Sequence, residues 1–88
     1  MKISFDPAKR DKVLRERGLD FADAGKVFDG RSKSVIDDRA DYGEVRQVTY
    51  GWMDEVAVAI VWTERDDTCR VISMRRMHQW EISNVGLD

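Results

Sequence analysis

One cysteine, one histidine and one proline stand in 88 residues, and each scarcity removes a class of answers. A lone Cys69 can form no disulfide within the chain and no cysteine-based zinc site. His78 is the single imidazole, so no local cluster of soft metal ligands exists, and neither a metal nor another cofactor is expected. The start, Met1-Lys2-Ile3-Ser4-Phe5-Asp6, has no long apolar run, so no secretory leader is expected. No segment approaches the roughly 18 apolar residues of a membrane span. The expectation is a cytoplasmic protein in a reducing compartment. An excess of positive charge is also missing: 15 Lys+Arg against 17 Asp+Glu give a formal charge of -2. A nonspecific nucleic-acid binder is basic overall, so any nucleic-acid contact here must come from a local patch.

What the chain does have is 42% hydrophobic and 36% charged residues, the balance of a globular protein with a heavily charged surface. Its length fits one domain, residues 1–88, with one modest core. Ile3 to Phe5 reads as a first or edge strand. Asp6-Pro7 then signals a helix, with Asp as N-cap and Pro at the first helical position, running to about Arg17 and stopped by Gly18. Its apolar face is thin, with Ala8, Val13 and Leu14 set against Lys9, Arg10, Lys12, Arg15 and Arg17. A second helix is expected from the Asp20 cap to Gly30, with Phe21, Ala24, Val27 and Phe28 at helical spacing.

The remainder alternates like strands. Ser34 to Asp37 is brief, and Asp38 to Gly43 is a polar turn. Val48, Tyr50 and Trp52 face one way, Thr49 and Gly51 the other. Val56 to Trp62 is apolar on both faces, as in a central strand, and Cys69 to Met74 returns. The pattern predicts an α+β fold: two N-terminal helices packed on a curved antiparallel sheet, with a short final helix somewhere in Met77 to Val85.

The returning strand ends in Arg75 and Arg76. Neighbours on a strand point to opposite faces, so both cannot enter the core. At least one must reach solvent or a ligand, and guanidinium is the side chain best shaped for phosphate.

Several markers occur together in order: Phe5-Asp6-Pro7-Ala8-Lys9, Gly18 to Ala24, Val27-Phe28-Asp29, Asp41-Tyr42-Gly43-Glu44-Val45-Arg46, Gly51, Thr63-Glu64-Arg65, and Arg70 to Arg76. In this order and spacing, from Phe5 to about Glu81, the chain resembles the BrnT family of ribonuclease toxins from bacterial type II toxin–antitoxin modules. The resemblance implies a RelE-like fold, metal-independent RNA cleavage and arrest of translation. It also implies a cognate BrnA-type antitoxin that neutralises the toxin in a hetero-oligomer and brings the pair to operator DNA. Some positions depart from the family's habit. Glu16-Arg17-Gly18 replaces Lys-His-Gly, and Val13 replaces an Asn. Gln79-Trp80-Glu81-Ile82-Ser83-Asn84-Val85 replaces a basic last helix that ends near a Tyr, with Glu81 kept.

Cleavage through the ribose 2′-hydroxyl needs a base, a stabiliser of the developing phosphorane charge and an acid for the leaving oxygen. Arg75 and Arg76 suit the stabilising role, and Glu81 or His78 the proton transfers. Arg46 and Lys9 are candidates to hold the RNA backbone. Each has a plainer reading: surface ion pairs for the arginines, a capping role for His78, a solvated helix face for Lys9. Trp80 is expected at the edge of the core, with base stacking as its second reading. Cys69 is expected to be inert. A second function, from a different class, is a catalytically weakened relative acting as an antitoxin-binding or operon-regulating module. The altered C-terminal segment and the negative net charge favour that alternative.

Overall fold

A computed structural model of the chain describes residues 2–39 and 41–87. Met1, Ala40 and Asp88 lie outside the described residues, so the polar turn expected over 38–43 is described except at Ala40. In chain order the elements are β1 (Lys2–Phe5), α1 (Pro7–Arg17), a 3-10 turn (Phe21–Asp23), α2 (Ala24–Asp29), β2 (Ser32–Asp37), β3 (Arg46–Met53), β4 (Val56–Arg65), β5 (Thr68–Arg76) and α3 (Gln79–Val85).

The strands form one sheet in the order β1-β5-β4-β3-β2. The β3–β4–β5 meander matches the alternation in the sequence. Asp66 and Asp67 both adopt positive φ, 50° and 62°, in the two-residue turn between β4 and β5. Two such residues give the backbone the twist a tight hairpin needs, and Asp tolerates it better than most side chains. The expected all-antiparallel sheet is corrected at one edge, where β1 pairs in parallel with β5 (Lys2 opposite Thr68, Phe5 opposite Val71). The sheet is therefore mixed. Ending after Phe5, β1 leaves the second half of β5 without a strand neighbour on that side.

Helix α1 starts and stops as its caps dictate. The Asp6 carboxylate accepts from the Ala8 N–H at 3.0 Å, and Gly18 closes the helix with φ 69°. Val13 is the one α1 residue in the core; Leu14 is left 37% exposed. The second helix is corrected as well. The chain first makes the 3-10 turn, capped by Asp20 through the Ala22 N–H at 2.9 Å, and only then the six-residue α2. Asp20 has a second task that fixes its position: Arg10 donates to both its oxygens at 2.8 Å, tying α1 to the turn. That fork geometry is the strong form of the Arg–carboxylate pair.

The sheet is apolar on both faces. One face, with α1, the 3-10 turn and α2, buries Val13, Leu19, Phe21, Val27, Val58, Ile60, Trp62, Cys69, Val71 and Met74. The other buries Val48, Ala57, Ala59, Met77, Ile82 and Leu87, beneath α3. A bulge sets which β5 residues go where. Val61 pairs with Ser73 but Trp62 with Val71, which leaves Ile72 as the extra residue. Two non-core side chains, Ile72 and Ser73, therefore separate the core residues Val71 and Met74, and bulges of this kind re-aim the strand beyond them. Beyond the bulge, Arg75 faces the α3 side opposite Ala59, and Arg76 the α1 side opposite Val58. The sheet face that α3 covers only at one end is what remains for function.

Candidate functional site

Three arginines converge on that open face. A groove of about 380 Å³ has Val48, Tyr50, Ala59, Val61 and Ser73 among its lining residues, together with Arg17, Arg39 and Arg75, and with Asp37 on the β2 side. Two of the guanidiniums are held by a carboxylate and the third by a backbone carbonyl.

Arg75 donates through Nη1 and Nη2 to the two oxygens of Glu81, at 2.8 and 2.9 Å. Glu81 is 8% exposed and also accepts from the His78 backbone N–H at 2.9 Å, at the start of α3. The Arg75 guanidinium, then this N–H, hold the Glu81 carboxyl down at about 2. Glu81 is thus an ionised anchor for Arg75, and a carboxylate this acidic is a weak base.

Arg39 lies just past β2 and donates to both oxygens of Asp37, at 2.7 and 2.8 Å. The Asp37 side chain is 1% exposed. Its carboxyl is held down to about 2, first by the Arg39 side chain and further by the Arg39 backbone N–H and by Tyr42. Arg75 and Arg39 are close enough to repel: the charge of Arg39 works against the protonation of Arg75, which Glu81 raises.

Arg17 reaches the groove from the end of α1. Its Nη1 donates to the Met74 carbonyl at 2.7 Å, along the part of β5 beyond the end of its pairing with β1. Arg76 makes the reciprocal contact, donating through Nη1 to the Arg17 carbonyl. The two form a double clasp between α1 and β5.

The sequence candidates therefore fall in three places. Arg75, Glu81 and the His78 backbone form one connected unit. Arg76 points to the α1 side, onto the backbone carbonyl of Arg17. Lys9 and Arg46 come together elsewhere, in a second groove of about 180 Å³ lined also by Asp6, Arg65, Arg70, Val71 and Ile72. There the Arg46 guanidinium stacks 4.0 Å above the Tyr42 ring, and Arg65 donates to Glu44 at 2.8 Å. Trp80 corrects an expectation. It is 64% exposed, away from the core edge, with its ring parallel to that of His78 (7° between planes, centroids 6.0 Å apart). At the third position of α3 Glu81 turns inward to Arg75, and this leaves Trp80, one residue earlier, on the outer side.

Sequence reasoning missed Arg17, Arg39, Asp37, Tyr50 and Ser73. Two signals were present. Arg17 stands at the position before Gly18 where the resembled family usually carries a His, and Tyr50 shares the strand alternation of Val48. Nothing local marked Arg39, because its role depends on β2 lying three strands from β5 in the sheet.

Among the described residues no three His, Cys, Asp or Glu side chains gather closely enough to hold a metal ion, and no helix is long and apolar enough to cross a membrane. A family model described as a ribonuclease toxin, BrnT, of type II toxin–antitoxin systems matches residues 5–81. Among curated proteins none matches the chain.

Proposed function

The chain belongs to the BrnT family of ribonuclease toxins of type II toxin–antitoxin systems, and on that premise we propose that it is a metal-independent endoribonuclease whose active surface is the three-arginine groove. Membership brings ribonuclease activity and an antitoxin partner. The finer reading is ours, and one observation carries it: Arg17, Arg39 and Arg75, from α1, the end of β2 and β5, line a single groove on the open sheet face.

In this reading a phosphodiester enters the groove and its non-bridging oxygens meet the guanidiniums. The ribose 2′-oxygen attacks phosphorus and the 5′-oxygen leaves, giving a 2′,3′-cyclic phosphate and a 5′-hydroxyl. Negative charge on the phosphorane rises in the transition state, and fixed cationic donors stabilise it more than the ground state. Arg75 makes the principal contact, and Arg76 acts through the clasp that positions Arg17. Glu81 keeps Arg75 oriented. His78, exposed at the start of α3, carries the proton transfer, and a pH–rate profile of His78→Ala tests that assignment. Lys9 and Arg46 contact the RNA outside the groove.

We further read the architecture as one RelE-like domain spanning the chain, its RNA cleavage as arrest of translation, and its neutraliser as a BrnA-type antitoxin that carries the complex to operator DNA. One observation favours the alternative of a weakened, partner-binding module: both Nη groups of Arg75 are already engaged by Glu81. The test separates the two readings. Purified chain is incubated with end-labelled RNA in EDTA, and product termini are mapped. Cyclic-phosphate ends support the nuclease; intact RNA with a folded protein that binds antitoxin supports the module.

A further inference from the structure

We propose that the second groove, between the start of α1 and the bulge of β5, is a separate phosphate subsite for RNA, a few nucleotides along the strand from the cleaved bond. This rests on the ribonuclease reading above and adds a second anchoring point to it.

Four cationic side chains line this groove: Lys9, Arg46, Arg65 and Arg70, with Asp6 as the one acidic lining residue. The Asp6 carboxylate already accepts the Ala8 N–H as the cap of α1. Glu44 neutralises part of the charge, at 2.8 Å from Arg65 and 3.5 Å from Arg46. Lys9 and Arg70 have no ion pair with any described residue, in a chain whose acids outnumber its bases. Arg46 Nε is buried and lacks a close hydrogen bond, with the Glu44 carboxylate 3.5 Å away. Its guanidinium is nevertheless fixed by stacking on Tyr42. Lys9 and Arg70, cations without an acidic partner among the described residues, stand beside the partly neutralised Arg46 and Arg65 in a concavity of about 180 Å³, which fits an anion. The forked guanidiniums suit the two non-bridging oxygens of a phosphodiester.

The position identifies which anion. Cys69 and Val71 lie in the helix-side core, so alternation turns Arg70 to the same open face as Arg75. The two lie five positions apart along β5, across the bulge, roughly 15 Å at the strand rise. One phosphate cannot touch both grooves, whereas a longer RNA chain can cross the bulge and occupy both.

The test uses fluorescein-labelled 2′-O-methyl oligouridylates, whose blocked 2′-oxygen prevents cleavage, of two and eight nucleotides. Wild type, Lys9→Ala/Arg70→Ala and Arg70→Lys are titrated over a range of salt. For the wild type, affinity rises from dimer to octamer. In the double variant that gain shrinks about tenfold, and the slope of log K against log salt for the octamer falls by roughly 1.4, about 0.7 for each lost phosphate contact on a single strand. Arg70→Lys keeps the charge and retains most of the slope. An unchanged slope and length gain in the double variant overturns the subsite while leaving the RNA reading intact. No binding of either probe by wild type overturns both. Loss of antitoxin binding with RNA binding unchanged assigns the groove to the antitoxin and overturns the proposal.

Discussion

Arg75 and Glu81 meet in a two-pronged pair, 2.8 and 2.9 Å, that joins the end of β5 to the start of α3. The pair does two jobs at once. It seats α3 on the open face of the sheet, and it sets the direction of the one guanidinium of the Arg75–Arg76 doublet that lines the main groove. Replacing Glu81 with Ala leaves the His78 N–H and the Arg75 fork unmet. The expected loss is about 1–2 kcal/mol, at the lower part of the range for a charged hydrogen-bonded group because Arg75 is half in solvent. A shift of the urea midpoint at unchanged slope checks it. Glu81→Gln keeps shape and part of the bonding, so it should retain cleavage with an unaltered acidic limb of the pH–rate profile. A catalytic base at Glu81 would make that variant inactive.

Acid should undo the same contacts. The Glu81 carboxyl falls from 4.5 to about 2 on folding, and that of Asp37 from 3.8 to about 2. Both are depressed, so the folded chain binds fewer protons than the unfolded one in this range. Their contribution is complete above about pH 4.5 and is lost as pH falls toward about 2. Urea midpoints measured across that window should drop steeply for wild type and less steeply for Glu81→Gln.

Asp37 is predicted to act on cleavage through Arg39. Asp37→Asn removes the charge that holds Arg39 against the groove wall. The expected cost is about 10- to 100-fold in kcat/KM, the scale on which misplaced catalytic groups act. An Asp37→Asn protein that cleaves RNA at the wild-type rate would remove Arg39 from the site.

The helix-side core should reject any side chain at position 51. A Cβ on Gly51 would lie 2.7 Å from Val27 Cγ1 and 3.2 Å from the Arg31 carbonyl oxygen. Gly51→Ala must therefore push α2 away from β3, at a cost of roughly 1–3 kcal/mol for overpacking. Thermal unfolding reads it directly.

Cys69 is fully buried, and burial pushes its thiol up to about 11. The reactive thiolate is scarce at neutral pH. Iodoacetamide at pH 7.5 should leave the native protein unlabelled and modify it completely in denaturant. Labelling of the native chain would place Cys69 nearer the surface than the core of this fold.

How much of this the sequence could reveal follows the range of the interactions. The meander was legible because Val48, Tyr50 and Trp52 alternate over consecutive residues, and α1 because Asp6, Pro7 and Gly18 are local punctuation. The parallel pairing of β1 was not, since four residues at the start of the chain contain no mark of the β5 partner more than sixty residues later. Nor was the 3-10 turn, which the long-range Arg10–Asp20 fork helps to fix. For the site, strand alternation separated Arg75 from Arg76, but it could not say that Arg76 would clasp the carbonyl of Arg17. Net charge pointed away from RNA because it averages the whole surface, whereas the structure gathers Arg17, Arg39 and Arg75 on one side of the sheet.

The most direct test of the central claim compares Arg75→Ala with Arg76→Ala on end-labelled RNA in EDTA. With both variants folded, the account predicts a loss of at least about 100-fold for Arg75→Ala, the scale of removing one preorganised charge-stabilising donor. For Arg76→Ala, which acts only through the position of Arg17, it predicts about tenfold. Equal losses, or a larger loss for Arg76→Ala, would contradict it and move the active surface to the α1 side of the sheet.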